Sequence, residues 1–157
     1  MELVWCPYGG NAHIVAGFVH PPTEAILQGA LALRKVEKFT LVKGLEGSCD
    51  LPRDRTAIIA LSKTPDTMER LFLSPHDYGF AGNNMIIGTT AEILAQMQEI
   101  LDAKPGESMQ TAVWNGGFYL WRSGLCSDIS SGLAAAETLL TSGAVAHKLR
   151  EIQQAHS

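Results

Sequence analysis

The 157-residue sequence predicts an α/β fold, a mostly parallel sheet with packing helices, on three observations. Residues 12–42 read as strand, helix and strand, the order of a parallel β-α-β unit. Two short apolar stretches at 56–61 and 68–73, joined by a polar turn, read as an antiparallel hairpin at the sheet edge. Beyond residue 80 the apolar residues recur at helical spacing. We therefore expect one α/β domain over 1–157, itself part of a larger one, with 1–80 supplying the sheet and 81–157 the helices.

The first residues are unusual for a chain start. Leu3, Val4 and Trp5 are core-type side chains, followed at once by the turn formers Pro7, Gly9 and Gly10. This suggests a chain that begins inside a larger domain. Residues 12–19 form the first expected strand, and Pro21-Pro22 mark its junction with a helix over 23–35, since proline suits a first helical turn. Ile26, Ala30 and Leu33 share one face of that helix, with Leu27 and Leu31 beside them. Arg34 and Lys35 place positive charge at its end, where the dipole favours it.

The second strand starts at Phe39. Phe39, Thr40, Leu41 and Val42 are β-formers without charge, as expected of a strand buried on both faces. It runs into a loop in which Gly44 and Gly47 supply turn conformations, Glu46 and Asp50 supply carboxylates, and Arg53 and Arg55 follow. A loop at the C-terminal end of a parallel strand is where open α/β sheets place ligands. An ordinary surface loop is the competing reading.

In the second half, Thr89 or Thr90 caps a helix to about Ala103, with Ile93, Leu94, Met97, Ile100 and Leu101 along one side. Pro105-Gly106 ends it. A helix over 107–123 contains Gly116-Gly117, which cost roughly 1 kcal/mol each against alanine and so imply close packing against another backbone. Ser127-Asp128 cap a third helix, Gly143 ends it, and a fourth carries Val145, Leu149 and Ile152.

Composition limits function. Hydrophobic residues make up 46% and charged residues 18%, and the net charge is −4, so the whole molecule has no electrostatic footprint for nucleic acid. Six of the twelve basic residues (Arg34, Lys35, Lys38, Lys43, Arg53 and Arg55) nevertheless fall within 22 positions. Cys6, Cys49 and Cys126 form neither a disulfide framework nor a zinc pattern, which suits a reducing cytoplasmic setting. No apolar run of about 18 residues exists to span a membrane.

Four segments, in order, resemble the C-terminal part of the anthranilate phosphoribosyltransferase family, which has a nucleoside-phosphorylase type fold. Gly17-Phe18-Val19-His20-Pro21 is similar to its G-V-x-x-P. Leu41-Val42-Lys43-Gly44-Leu45-Glu46-Gly47 is similar to its V-V-H-G-x-D-G. Leu73-Ser74-Pro75-His76-Asp77-Tyr78-Gly79-Phe80 resembles its L-x-P-E-D-F-G-L. Trp114-Asn115-Gly116-Gly117 and Ser142-Gly143-Ala144 resemble its L-N-A-A and S-G-A-A helices.

The resemblance implies phosphoribosyl transfer from phosphoribosyl diphosphate to anthranilate, in tryptophan biosynthesis, by a parent that contains a missing N-terminal half or a second chain. It implies a homodimer and no membrane. The family's G-T-G-G-D and K-H-G-N-R diphosphate segments do not occur in this sequence, so the chain alone is expected to be inactive. The family's metal-binding Asp-Glu pair falls on Cys49 and Asp50. A thiol there weakens a magnesium site, leaving Asp50 and Glu46 as the candidate Mg2+ ligands and Lys43, at the strand end, as a candidate phosphate contact. A solvated turn acid and a snorkelling lysine are the plain alternatives.

The glycine loop also resembles that of the family's non-biosynthetic paralogues, in which G-x-E-G is followed by an aspartate, a proline and arginines. That branch implies nucleic-acid binding, here through Lys38, Lys43, Arg53 and Arg55. His20, His76 with Asp77, and Cys49 are each read as structural rather than catalytic. The aromatic set Trp114, Phe118, Tyr119 and Trp121 reads as core packing.

Overall fold

The computed structural model describes residues 12–64, 67–85 and 88–156. The apolar start at Leu3–Trp5, Cys6, and the turn residues Pro65 and Asp66 lie outside the described residues. The chain divides into two compact units, Met1–Asp77 and Tyr78–Ser157.

The first unit is a four-stranded sheet in the order β1 (His13–Gly17), β2 (Lys38–Val42), β3 (Ala57–Thr64), β4 (Thr67–Leu73), with helix α1 (Pro21–Leu33) between β1 and β2. β1 and β2 are parallel, with Gly17 opposite Val42. β2 and β3 are antiparallel, as are β3 and β4. The α/β class and the hairpin are as expected, but the sheet is mixed rather than mostly parallel. The reason lies between Val42 and Ala57: that connection holds only a 3-10 turn, Leu45–Gly47, and no crossover helix, so β3 must run back beside β2.

Alternate residues of the strands point to opposite faces. Ala16, Phe39, Leu41 and Ala60 pack with Phe18 and with Leu27 and Leu31 of α1 into one core, with Ile14, Val36 and Met68 at its margin. Thr40, Val42, Ala57 and Ile59, on alternate positions, are buried as well. Thr40 Oγ1 lies 2.8 Å from His13 Nε2, joining β1 and β2 by side chains as well as by backbone. At the start of β2, Ser62 Oγ accepts the Phe39 N–H at 2.9 Å, beside the irregularity in the β3–β4 pairing.

α1 differs from expectation in two respects. It turns Leu27 and Leu31 inward and leaves Ile26 and Leu33 exposed. It also ends at Leu33, so Arg34 is its cap and Lys35, at φ 55°, lies beyond the last turn. The buried Glu24 in its first turn is held by Arg70 of β4, Nη2 to Oε2 at 2.8 Å and Nη1 to Oε1 at 2.7 Å. The hydrogen bond to Oε2, with the ion-pair contact at Oε1 beside it, fastens the helix to the edge strand.

The second unit contains α2 (Thr90–Leu101), α3 (Glu107–Arg122), α4 (Ile129–Thr141) and α5 (Ala144–Ala155). Thr89 caps α2 in a capping box with Glu92, and Asp128 caps α4 in another with Ser131. The Ser131 backbone N–H holds the Asp128 carboxyl below its ordinary range, so this cap stabilises at neutral pH and fades as pH falls through that lowered value. Trp114 is fully buried, with the rings of Tyr78 and Phe80 at 6.0 and 5.8 Å. Leu94 and Met97 of α2, and Val145, Leu149 and Ile152 of α5, remain exposed, although their spacing is that of a buried face.

α3 and α4 meet through glycine. A Cβ on Gly117 would stand 2.6 Å from Leu133 Cα, and one on Gly132 would fall on the Gly117 carbonyl oxygen. Only residues without a Cβ allow this approach, which is the close packing expected of Gly116-Gly117. A Cβ on Gly116 would make only ordinary contact with Ala136 Cβ, at 3.4 Å.

Replacing Gly117 or Gly132 by Ala should therefore lower stability by about 1–3 kcal/mol, because overpacking against backbone outweighs the gain in helix propensity. Gly29→Ala, in open space on α1, should raise stability by up to about 1 kcal/mol. Thermal or urea unfolding of the three variants measures this, and equal effects at all three positions would contradict it.

Candidate functional site

The loop after β2 is shaped by two glycines beneath it. A Cβ on Gly17, the last residue of β1, would fall on the Gly47 and Ser48 carbonyl oxygens. One on Gly44 would fall on the Ser48 carbonyl oxygen and stand 2.9 Å from that of Asp50. The loop backbone thus lies directly on the ends of the two parallel strands. Glu46 (φ 50°) and Gly47 (φ 81°) make the left-handed turn that brings it there, and the Asp50 N–H closes onto Ser48 Oγ at 3.1 Å. A non-glycine residue in this region costs about 1 kcal/mol.

The β2–β3 pairing continues one step past the strand, with the Lys43 N–H donating to the Ile58 carbonyl at 2.9 Å. This brings the start of β3 alongside the glycine loop. Lys43, Gly44, Glu46, Arg55 and Thr56 line a cleft of about 240 Å3, with Val19 and Ile58 as its apolar wall. Three formal charges face it: Lys43 and Arg55 positive, Glu46 negative. Arg55 Nη1 is 3.2 Å from Asp54 Oδ2, whereas Lys43 has no ion-pair partner among the described residues. An apolar groove of about 430 Å3 in the helical unit, lined by Leu120, Leu139, Leu140 and Val145 among others, offers no charge to orient a ligand.

The expected site residues are thus partly assembled. Lys43 and Glu46 share the cleft, and Arg55 joins them. Asp50 is exposed and is not among the lining residues. Arg53 is 3% exposed, within the buried run Leu51-Pro52-Arg53. Lys38 begins β2 and lies five residues before Lys43, roughly 16 Å away along an extended strand. Of the four cations in the nucleic-acid reading, Lys43 and Arg55 line the cleft, Arg53 is buried and Lys38 lies at the far end of β2. His20 stands exposed at the α1 cap without a capping bond, and His76 and Asp77 are exposed in the 3-10 turn Pro75–Tyr78.

Val19, Thr56 and Ile58 were not singled out from sequence. No local signal marked them, because the return of the chain beside Lys43 depends on the 43–56 connection holding only a 3-10 turn and no helix.

The cleft by itself offers a magnesium ion a single carboxylate, Glu46. Among the described residues, no group of three or more His, Cys, Asp or Glu side chains is placed to hold a metal ion. Glu46 shares its cleft with two cations, which repel a divalent ion. Cys49 stands where the resemblance places a carboxylate. Burial, and then the Asp50 charge, push its thiol above the ordinary 9.0, so it stays protonated at neutral pH. A protonated thiol is no ligand for a hard cation.

No family model matches the chain. It is similar in sequence to anthranilate phosphoribosyltransferases. One, from Polynucleobacter necessarius subsp. necessarius, is 28% identical over 140 residues, covering 87% of this chain and 40% of that protein. Another, from Xanthomonas oryzae pv. oryzae, is 24% identical over 143 residues, covering 89% and 41%. Among solved structures, anthranilate phosphoribosyltransferase from Thermus thermophilus matches with a TM-score of 0.60 at 19% identity, over 81% of this chain and 38% of that one. The Saccharomyces cerevisiae enzyme, solved with 4-fluoroanthranilate, matches with a TM-score of 0.69 at 15% identity, over 87% and 40%. The chain thus resembles this family in sequence and has its fold, and it spans about 40% of the length of these relatives. No helix among the described residues is long and apolar enough to cross a membrane.

The raised thiol of Cys49 yields a measurable consequence. Its thiolate fraction at pH 8 is smaller in the folded chain than in the unfolded one, so alkylation of Cys49, followed by peptide mass spectrometry, should be slower when folded. Stability should fall as pH rises past the ordinary thiol value, because the unfolded chain loses its proton first. Faster alkylation in the folded chain would contradict this environment.

Proposed function

We propose that this chain is the glycine-loop part of an anthranilate phosphoribosyltransferase-like glycosyltransferase, acting in the cytoplasm on phosphoribosyl diphosphate and anthranilate in tryptophan biosynthesis. The observation that carries the reading is the coincidence of two features. Sequence similarity to these enzymes covers 87% of the chain, and a charged cleft opens where β2 runs into the glycine loop whose sequence resembles the family's.

Such a transfer breaks the bond from the sugar to diphosphate and forms one from the sugar to the anthranilate nitrogen, so negative charge builds on the departing diphosphate. Catalysis then depends on fixed positive groups and on holding the two reactants in line. Lys43 and Arg55 provide positive charge at the loop, and the Gly44 backbone permits close approach. The second requirement, positioning, falls to groups such as the G-T-G-G-D and K-H-G-N-R segments, which this sequence lacks. The 157 residues by themselves are therefore expected not to turn over.

The test joins this chain, in register, to the preceding part of the Xanthomonas oryzae relative and follows anthranilate fluorescence with phosphoribosyl diphosphate. The joined protein should consume anthranilate while the 157-residue chain alone does not. Turnover by the chain alone would overturn the division of labour. A joined protein that folds, by circular dichroism, yet neither binds nor consumes either substrate would overturn the family reading itself.

A further inference from the structure

A glycine loop that usually serves carboxylates and a metal carries a different balance of charge here. Two of the three charged side chains lining the cleft are cations, and the third, Glu46, is a carboxylate. A divalent ion entering beside Glu46 shares the cleft with Lys43 and Arg55, whereas an anion finds two cationic donors there, one of them partly neutralised by Asp54. Lys43 is not consumed by an ion pair among the described residues. Arg55 uses one side of its guanidinium on Asp54, and its remaining donors are available. The Thr56 hydroxyl adds a neutral donor.

We infer that this cleft takes a phosphate or diphosphate group directly on Lys43 and Arg55, without a divalent ion, while Glu46 accepts a hydrogen bond from a hydroxyl of the same ligand. The inference takes its ligand class from the function proposed above, but its metal independence from the charges of the cleft alone. The two cations are complementary in kind: lysine serves phosphate as a mobile point charge and arginine as a planar fork. At about 240 Å3 the cleft has room for a group the size of a diphosphate. The backbone around the cleft is already pinned by the Lys43–Ile58 hydrogen bond and by the loop lying on Gly17 and Gly44. Little ordering remains to be done on binding.

The experiment is calorimetric titration of the 157-residue chain with inorganic pyrophosphate at low salt, once with EDTA and once with magnesium chloride. Inorganic phosphate serves as a competitor. The two dissociation constants should agree within about twofold, and Lys43→Gln and Arg55→Gln should each weaken binding about tenfold or more. Both side chains are exposed, and circular dichroism checks that the variants remain folded. Binding that requires magnesium overturns the inference. So does the absence of pyrophosphate binding, or binding indifferent to both substitutions. Metal-independent binding by this chain together with an inert joined enzyme would leave the anion site standing and remove the transferase reading.

Discussion

The approach of the residue 44–50 loop to Gly17 and Gly44 is the contact on which the rest of the sheet unit's chemistry depends. Two loop carbonyls occupy the space in which a side chain of Gly17 would stand. The loop can therefore lie flat on the ends of β1 and β2, and its far end returns as β3 beside Lys43. The cleft is a consequence of that return. Its lining comes from the last residues of one strand, the turn and the first residues of the next, none of which would meet if the loop stood away from the sheet.

The helical unit uses the same physical device for packing. Gly117 and Gly132 let the backbones of α3 and α4 touch, while Trp114, Phe118 and Leu133 of the same unit are buried side chains. Polar interactions play a narrower part. The Glu24–Arg70 pair joins α1 to the edge strand and neutralises a carboxylate that burial would otherwise make costly. It selects where the helix sits more than it adds to stability.

Much of this was legible in the sequence wherever the signal is local. Prolines 21 and 22 marked the start of α1, Thr89 and Asp128 marked caps, Phe39–Val42 read as a doubly buried strand, and Gly116-Gly117 announced a close helix contact. What was not legible depends on sidedness. Lys38 and Lys43 are neighbours in sequence but stand at opposite ends of a strand, and Arg53, two residues from the exposed Arg55, is buried. The Glu24–Arg70 pair bridges 46 positions and leaves no local trace. The exposed faces of α2 and α5 likewise show that helical spacing reports which side is apolar, without reporting what covers it.

Gly17 and Gly44 place the loop, Cys49 keeps a raised thiol within it, and Lys43 and Arg55 give the cleft two cations beside the carboxylate of Glu46, a setting that holds only while the loop rests on the strand ends. The dependence of that setting on a missing side chain is tested most directly by hydrogen exchange on Gly17→Ala. Amides of residues 44–50 should lose protection while those of α3 and α4 keep theirs, and pyrophosphate should no longer slow exchange in the loop. Unchanged loop protection in the variant would show that the loop does not rest on Gly17, and that the cleft is held by something else.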